Sequence, residues 1–404
     1  MPLHNFVDEE SNQTMSGGKT LLSPLLIGGE CSADPTEALG IATKQYADAV
    51  ISQRDAYNAI MNGNFQIWNR GTSVFSAMAD GTYTADRWRY GKSGVGVNRI
   101  LRGQAPTVFD AGVRIPYGVQ IDCTTIDAAI GAGDFYEVSQ RVEGYRWQHL
   151  AQRICTLSFW VISSKTGIHC VSLRNNLAGT PDRSYVAEYT INNASVWQYI
   201  TITLAEASPS TGTWDYTTGT GISVDFCLAA GSTWQTTPNG WRVGNFRATA
   251  NQVNGMDNTF NFLTISGVRL EAGPAASAAI VRPYADDYDD CERYLQMSFP
   301  EGVTPVQNAG VAGSARIGCN ITGAVAFFSN TIPFRQRMRP GGTGTLYNPS
   351  AANAQIRNFT GSVDFTASSI TEVSENGIAI TGTGNAGAAV GEQLGVHWLV
   401  TSEL

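Results

Sequence analysis

The chain has 404 residues, of which 43% are hydrophobic and only 15% charged, with 43 glycines. This composition excludes disordered and fibrous classes and suits many short strands joined by tight turns. The net charge of -8 argues against a nucleic-acid partner, because a phosphate-binding groove needs clustered Lys and Arg. No apolar run approaches the roughly 20 residues of a membrane span, so no membrane insertion is expected.

The cysteines, the histidines and the first residues indicate a reduced protein without a metal centre. The seven cysteines form no Cys-x-x-Cys pair, so neither a disulfide framework nor a zinc site is expected. The four histidines lie far apart, in no metal-ligand spacing. The opening sequence MPLHNFVDEE lacks the basic-then-apolar pattern of a secretory signal. We expect synthesis in a cytoplasm and no cofactor.

Residues 1–40 contain short polar pieces around one apolar patch, LLSPLLIGG, and cannot form a core alone. We expect them to be an arm that docks on another protein. Residues 41–61 lack Gly and Pro and carry a heptad spacing, which predicts an oligomerising helix; the alternative is a helix lying on its own domain. The predicted seam residues are Thr43, Tyr46, Val50, Gln53, Tyr57 and Ile60.

Residues 62–285 alternate apolar and polar side chains in about ten segments separated by turn signals, which predicts a β-sandwich, with a jelly roll as the favoured arrangement. Residues 286–300 are predicted to contain a short linking helix that ends this domain. Residues 301–404 contain six or seven further strand patterns separated by Gly, Asn and Ser, which predicts a smaller C-terminal β-sandwich. The predicted fold class is therefore mostly β.

The order of these segments resembles that of a tailed-bacteriophage tail fibre, or receptor-binding protein. The stretch Ala42-Thr43-Lys44-Gln45-Tyr46 resembles the short helical motif that leads from anchor to trimeric shaft. Asn62-Gly63-Asn64-Phe65 and Ala85-Asp86-Arg87-Trp88 resemble the opening of a carbohydrate-binding-module-like jelly roll, and Gly267-Val268-Arg269-Leu270-Glu271 its closing pattern. The terminal VHWLVTSEL resembles the distal β domain of such fibres.

This resemblance implies a homotrimer held by a short coiled coil over residues 41–61. It implies that residues 1–40 attach to a phage tail or baseplate protein, which places the protein in the virion. It implies that the β domains recognise a host surface polysaccharide during adsorption. Jelly rolls of the binding-module kind often carry a structural calcium, for which Asp225 or Asp122 could serve, although nothing in the sequence singles out a site.

Sugar-binding jelly rolls present flat aromatic faces to a pyranose ring, with polar side chains nearby for its hydroxyls. The polar loop over residues 231–247 fits this pattern, because loops carry binding residues and this one lacks an obvious core face. The alternative is that Trp241 only closes the end of the sandwich. The candidate glycan-binding residues are Trp234, Asn239, Trp241 and Arg242 of this loop, with Trp214, Tyr216, Tyr145, Trp147 and His149 as secondary candidates.

Two other functions stay open at this point. A glycan depolymerase needs two carboxyl groups at a defined separation, which can be distant in sequence. The acids that could supply them are Glu137, Glu143, Asp182, Glu188 and Asp225, although the long strand ladder of a β-helix depolymerase is missing. A purely structural tail component is the third possibility. We predict no catalytic residues and a binding function.

Overall fold

The structure, a computed structural model, describes residues 13–15, 19–21, 57–72, 74–106, 114–175, 181–277, 282–318, 327–384 and 389–404. The chain divides into two compact units, Met1–Ala56 and Tyr57–Leu404. In the first unit, β1 (Gln13–Met15) and β2 (Lys19–Leu21) pair antiparallel. The rest of the arm predicted over residues 1–40, and the seam positions Thr43, Tyr46, Val50 and Gln53, lie outside the described residues.

Two six-stranded antiparallel sheets form the larger sandwich of the second unit. The first sheet contains, in spatial order, β13 (Trp241–Val243), β10 (Arg183–Ile191), β9 (Gly167–Arg174), β12 (Thr220–Ala230), β7 (Phe135–Glu143) and β4 (Trp88–Ser93). The second contains β11 (Gln198–Thr203), β8 (Cys155–Ser163), β14 (Phe262–Ala272), β6 (Tyr117–Thr125), β5 (Val97–Gln104) and β3 (Phe75–Ser76).

The strand order confirms the predicted jelly roll. Four adjacent strands of the first sheet run β7-β12-β9-β10, and four of the second run β6-β14-β8-β11. This order is that of two interleaved Greek keys, in which the chain crosses repeatedly between the sheets. The ten segments predicted from alternation are the strands β4 to β12 and β14. Only the short edge strands β3 and β13 were not predicted.

The core between the two sheets is rich in aromatic side chains. Phe159 of β8 and Phe226 of β12 meet edge to face across it, with ring centroids 4.9 Å apart. Trp68 is also buried, and its indole Nε1 donates to the carbonyl of Phe65 at 2.8 Å. A buried indole whose N–H has a partner satisfies both its apolar and its polar requirement. Trp68 is therefore part of the architecture.

The prediction of a helix over residues 41–61 is wrong for its last part, from residue 57 onward. Residues 57–60 are not helical, and the N–H of Ala59 donates to the carbonyl of Leu270 on β14 at 3.0 Å. Asn58 accounts for this, because its Oδ1 accepts from the N–H groups of Ile60 and Leu270, an alternative to helical bonds. Ile60 is buried in the jelly-roll core, so it cannot belong to a trimer seam. Tyr57 lies edge to face on His149, with centroids 5.2 Å apart.

A short helix, α1 (Gly144–Trp147), follows β7, and a longer one, α2 (Tyr284–Glu292), follows the jelly roll. The linking helix was predicted over 286–300, so the prediction is wrong after Glu292. Leu295–Met297 form β15, which pairs with the last strand of the chain. Apolar residues at this point have a sheet edge to join, and pairing overrides helical spacing. Among the described residues, no helix is long and apolar enough to cross a membrane.

The C-terminal strands form a second, smaller sandwich. Its larger sheet contains β15, β16 (Ala315–Gly318), β18 (Thr343–Tyr347), β19 (Arg357–Asn358), β20 (Val363–Asp364) and β23 (Gln393–Thr401). Its smaller sheet contains β17 (Phe327–Pro333), β22 (Gly377–Thr383) and β21 (Ala367–Val373). Ile356, Phe365, Ile380, Val396 and Val400 are among the buried residues of its core. This confirms the C-terminal β-sandwich.

A buried polar cluster joins the two sandwiches. The carboxylate of Glu143, at the end of β7, accepts from Nε and Nη2 of Arg293 at 2.8 and 2.7 Å, and from the Tyr294 hydroxyl at 2.6 Å. The Arg87 guanidinium lies 3.5 Å from the centroid of the Tyr294 ring and pairs with Glu403. Glu143 is only 2% exposed. The residues that follow α2 are thus bound to the jelly roll by charge-assisted bonds, which are stronger than neutral ones.

We expect Glu143→Gln to lower the free energy of unfolding by about 2–4 kcal/mol, because it removes the charge that Arg293 and Tyr294 surround in a buried site. The measurement is urea unfolding followed by circular dichroism. The matched control is Glu375→Gln, which breaks an Arg–Glu pair whose Arg337 side chain is 70% exposed and should change stability by less than about 1 kcal/mol. Equal effects of the two substitutions would contradict the interpretation.

Candidate functional site

Three tryptophans meet at one end of the jelly roll, and we call them the tryptophan cluster: Trp147, Trp214 and Trp241. The rings of Trp147 and Trp214 stack with centroids 5.6 Å apart, and Trp241 meets Trp214 edge to face at 5.6 Å. Tyr185 meets the other side of Trp241 at 5.6 Å. Trp147 is buried, whereas Trp214 and Trp241 are half-buried and pack against the core. Trp241 therefore packs against the core at this end of the sandwich and is half-buried as a residue.

Polar side chains surround the exposed part of this cluster. The Glu206 carboxylate, which is exposed, accepts from the backbone N–H of Trp241. Arg183 donates to the Thr211 hydroxyl at 3.3 Å, and the Trp214 indole donates to the Thr211 carbonyl at 3.1 Å. Arg242 follows Trp241 on β13, so its side chain lies on the opposite face of the strand, where its Nε donates to the Thr237 hydroxyl at 3.1 Å. Aromatic faces bordered by a carboxylate and a guanidinium group can bind a sugar ring and its hydroxyls.

The predicted site residues do not all come together. Trp241 aligns with Tyr185, Leu173 and Val224 across the first sheet, whereas Trp234 follows the far end of β12, beyond Ala230. The six steps from Val224 to Ala230 span about 20 Å along a strand. Trp234 and Trp241 therefore lie at opposite ends of the sheet, although only six positions separate them in sequence.

The environment of Trp234 is tightly built. Its indole donates to the carbonyl of Gly133 at 2.8 Å, and its ring meets Phe135 edge to face at 5.5 Å. The Arg247 guanidinium lies 3.6 Å from the Phe135 centroid and 4.8 Å from that of Trp234. These contacts hold Trp234 against the sheet while it stays half-buried.

The remaining candidates lie along the loops of the sandwich. Asn239 is exposed, with a φ of 60°, and its N–H donates to the carbonyl of Val186 on β10 at 2.8 Å. Tyr216 packs half-buried against the core two positions after Trp214. Tyr145 on α1 is 46% exposed, and His149 contacts Tyr57 as described above. Asn239 therefore lies just before the edge strand β13, and Tyr216 follows Trp214 in the loop that precedes β12.

The outer face of the first sheet carries a buried charge network. Arg174 donates to both oxygens of Asp225, at 2.9 and 2.8 Å, and to Glu137 at 2.9 Å. Arg247 forms a second ion pair with Glu137, and Asn245 accepts from Arg174 at 2.9 Å. All the charged members are at most 7% exposed. The chain's own residues 245–247 thus occupy this part of the face, which leaves no room there for a polysaccharide.

Ionisation of Glu137 follows from these partners. Burial alone would raise the pKa of its carboxyl, but the positive charges of Arg174 and Arg247 outweigh that effect and hold the pKa well below its usual range. A carboxyl that stays ionised at neutral pH cannot act as the general acid of a glycosidase. Sequence reasoning did not find Arg174 and Arg247, because their charges give no periodic signal.

The other acids considered for hydrolysis also have partners within the chain. Glu143 is held by Arg293 and Tyr294. Burial acts to raise the pKa of Asp182, but the carboxylate accepts from Asn175 and from the N–H of Thr213, at 2.6 and 3.0 Å, and its hydrogen bonds together outweigh burial and lower the pKa. Glu188 accepts from the Thr249 hydroxyl and from Asn251.

The two aspartates considered for calcium bind arginines. Asp225 belongs to the network above, and Asp122 accepts from Arg99 Nε at 2.7 Å and from Gln120 at 2.8 Å. In the part of the chain that the structure describes, no group of three or more His, Cys, Asp or Glu side chains is arranged to hold a metal ion.

Neither a protein-family model nor a curated protein matches the chain. Among solved structures, it is similar to the enzymatically active domain of tailspike protein 4 of bacteriophage CBA120, at 12% identity and a TM-score of 0.30, over 54% of this chain and 22% of that one. It is also similar to a family 11 carbohydrate-binding module of a Clostridium thermocellum cellulase, at 13% identity and a TM-score of 0.27, over 50% and 96% of the two chains. A third similar structure is described as a putative sugar binding protein from Bacteroides thetaiotaomicron. Its identity to this chain is 15% and its TM-score 0.29, over 54% of this chain and all of that one.

The Glu137 ion pairs should make the free energy of unfolding depend on pH. A lowered pKa in the folded state means that the stabilisation is complete above the ordinary pKa of about 4.5 and is lost as the pH falls below it. We expect wild type to exceed Glu137→Gln in unfolding free energy by about 3–5 kcal/mol at pH 7, since the substitution leaves buried Arg174 and Arg247 without their anion. Urea unfolding from pH 7 to pH 3 should show this difference shrinking below pH 4.5. A difference independent of pH would contradict the assignment.

Proposed function

We propose that this chain is a subunit of a bacteriophage tail fibre that binds a host surface glycan without cleaving it. The observation that carries the proposal is the tryptophan cluster, because half-buried tryptophans near Glu206 and Arg183 provide both an aromatic face and hydroxyl partners. The order of sequence motifs supports placement in a virion. The arginine partners of Glu137 and Asp225 support recognition in preference to hydrolysis.

The proposal includes the predicted assembly. Residues 1–40 attach to a tail or baseplate protein, and the heptad spacing of residues 43–53 supports a homotrimer. One shallow saccharide site binds weakly, and three copies on one particle raise the apparent affinity through effective concentration. Trimer formation would therefore raise the apparent affinity above that of a single site with two half-buried tryptophans.

We expect Trp214→Ala to weaken binding of the purified protein to host cells or to an arrayed host polysaccharide by about tenfold, because an aromatic platform contributes about 1 kcal/mol or more. Phe260→Ala is the matched control, since it removes an 85% exposed aromatic ring elsewhere on the jelly roll and should leave binding unchanged. Circular dichroism checks that both variants fold.

Three other outcomes would change the proposal. Selective loss of binding in Trp234→Ala would move the site to the opposite end of the sheet. Release of reducing ends from the polysaccharide would establish a depolymerase. Failure of the wild-type protein to bind host cells or to block infection would favour a structural component.

Assembly can be measured separately by analytical ultracentrifugation. We expect the full chain to sediment as a trimer and a chain that lacks residues 1–40 to do the same, because the seam lies after the arm. The shortened chain should fail to join phage particles. A monomer at micromolar concentration would contradict the coiled-coil prediction.

A further inference from the structure

A groove of about 670 Å³ lies between α2 and the C-terminal sandwich. Tyr284, Tyr288 and Asp289 of α2 line one side, and Phe299, Glu301 and Trp398 line the other. We propose that this groove is a second binding site, which takes a short neutral saccharide. The proposal stands on this geometry and does not depend on the tryptophan cluster.

The walls of the groove are aromatic. Tyr284 and Tyr288 lie one helical turn apart, and their ring centroids are separated by 6.0 Å at an angle of 35°. Tyr284 is 42% exposed, whereas Phe299 and Trp398 are 6% and 8% exposed and form the base. Two neighbouring rings of this kind offer a broad aromatic surface to the apolar face of a sugar.

Hydrogen-bonding groups border the rings. The Tyr284 hydroxyl donates to the Glu301 carboxylate, and both groups lie at the surface of the groove. Asp289 is exposed on the same side, and Arg335 places its guanidinium 5.9 Å from the Tyr288 centroid. Carboxylates and guanidinium groups accept from and donate to the hydroxyls of a pyranose. This mixture of polar and apolar groups fits a saccharide better than an apolar helix or strand.

The charge of the lining selects the kind of saccharide. Asp289 and Glu301 are carboxylates, and the positive charge of Arg335 pairs with the buried carboxylate of Glu292. An acidic sugar would therefore meet two negative groups and a cation that already has an anion, which disfavours its binding. A neutral hexose or N-acetylhexosamine oligosaccharide avoids this repulsion.

The groove is held in shape before any ligand binds. Met297 on β15 pairs with Leu399 on β23, next to Trp398, so the base belongs to one sheet. On the other side, Arg282 forms ion pairs with Asp287 and Asp290 of α2. A preformed site loses less conformational entropy on binding. Its volume lies within the roughly 300–1,000 Å³ of small-molecule sites.

Part of this groove can be recognised in the sequence. Tyr284 and Tyr288 fall on one face of the predicted helix, but the acidic residues around them are most simply explained as its solvent-exposed N-terminal half. Arg335 and Trp398 are distant from α2 in sequence. The pairing of β15 with β23 brings Trp398 near α2, and the N–H of Arg335 donates to Gln296 of β15 at 3.0 Å.

The test uses the full-length protein and a panel of neutral hexose and N-acetylhexosamine oligosaccharides, with uronic-acid oligosaccharides as the acidic set, measured by isothermal titration. We expect at least one neutral oligosaccharide to bind, and Tyr284→Ala to weaken it about tenfold. Tyr284→Phe keeps the aromatic face and should retain most of the affinity. Phe260→Ala, which removes an 85% exposed aromatic ring outside both proposed sites, is the control and should leave saccharide affinity unchanged.

Hydrogen exchange locates the bound ligand, and protection of residues 284–301 is the expected result. If Trp214→Ala abolishes oligosaccharide binding and Tyr284→Ala does not, the groove site is overturned while the proposed function stands. If Tyr284→Ala abolishes binding and Trp214→Ala does not, the result supports the groove alone. Preference for the acidic set would overturn the proposal. So would a change of oligomeric state in Tyr284→Ala, which would assign the groove to a second copy of the chain.

Discussion

The buried carboxylate of Glu143 is the constraint on which the arrangement of the two sandwiches depends. It lies at the end of β7 in the jelly roll, yet its partners Arg293 and Tyr294 follow α2 and immediately precede β15. A buried anion must have such partners, because an unpaired one would be strongly destabilising. The ion pair therefore fixes the point at which the chain leaves the jelly roll, and with it the start of the C-terminal sheet and one wall of the groove.

Buried charge also decides which jelly-roll surface can bind a ligand. Asp225 lies on the strand β12 between Val224 and Phe226, whose side chains face the core, so its carboxylate points to the outer face of the sheet. There Arg174 and Arg247 neutralise it and Glu137, and the segment that supplies Arg247 covers the network. The end of the sandwich, where Trp214 and Trp241 are half-buried, is free of this network and is the surface proposed for recognition.

Much of the fold could be predicted from the sequence, because one face of each strand must be buried and this produces a period of two. The pattern located β4 to β12 and β14, and a jelly roll is the favoured arrangement of that many short strands. The prediction failed where a single side chain competes with a regular pattern. Asn58 sits within a helical spacing, but its amide oxygen binds the backbone of Ile60 and Leu270.

The candidate site was less predictable, because it depends on strand register. Trp234 and Trp241 belong to one loop in sequence, whereas in the structure Trp241 meets Trp214, which sequence reasoning ranked second, and lies far from Trp234. Glu206 could not be identified from the sequence, because it lies 35 residues before Trp241, whose N–H it binds. Local composition can nominate aromatic residues in loops, whereas the fold decides which of them share a surface.

The two proposed binding surfaces differ from the structural networks in how many acceptor sites of their carboxylates stay available to a ligand. Glu137 and Glu143 lie at most 2% exposed among arginine and tyrosine donors, so their oxygens are committed within the chain. Glu206 and Glu301 are exposed, and each accepts one bond from the chain, which leaves lone pairs for a ligand hydroxyl. An aromatic face alone would bind any flat apolar group. Beside an open carboxylate, it selects molecules that present an apolar face and hydroxyl donors together, as sugars do.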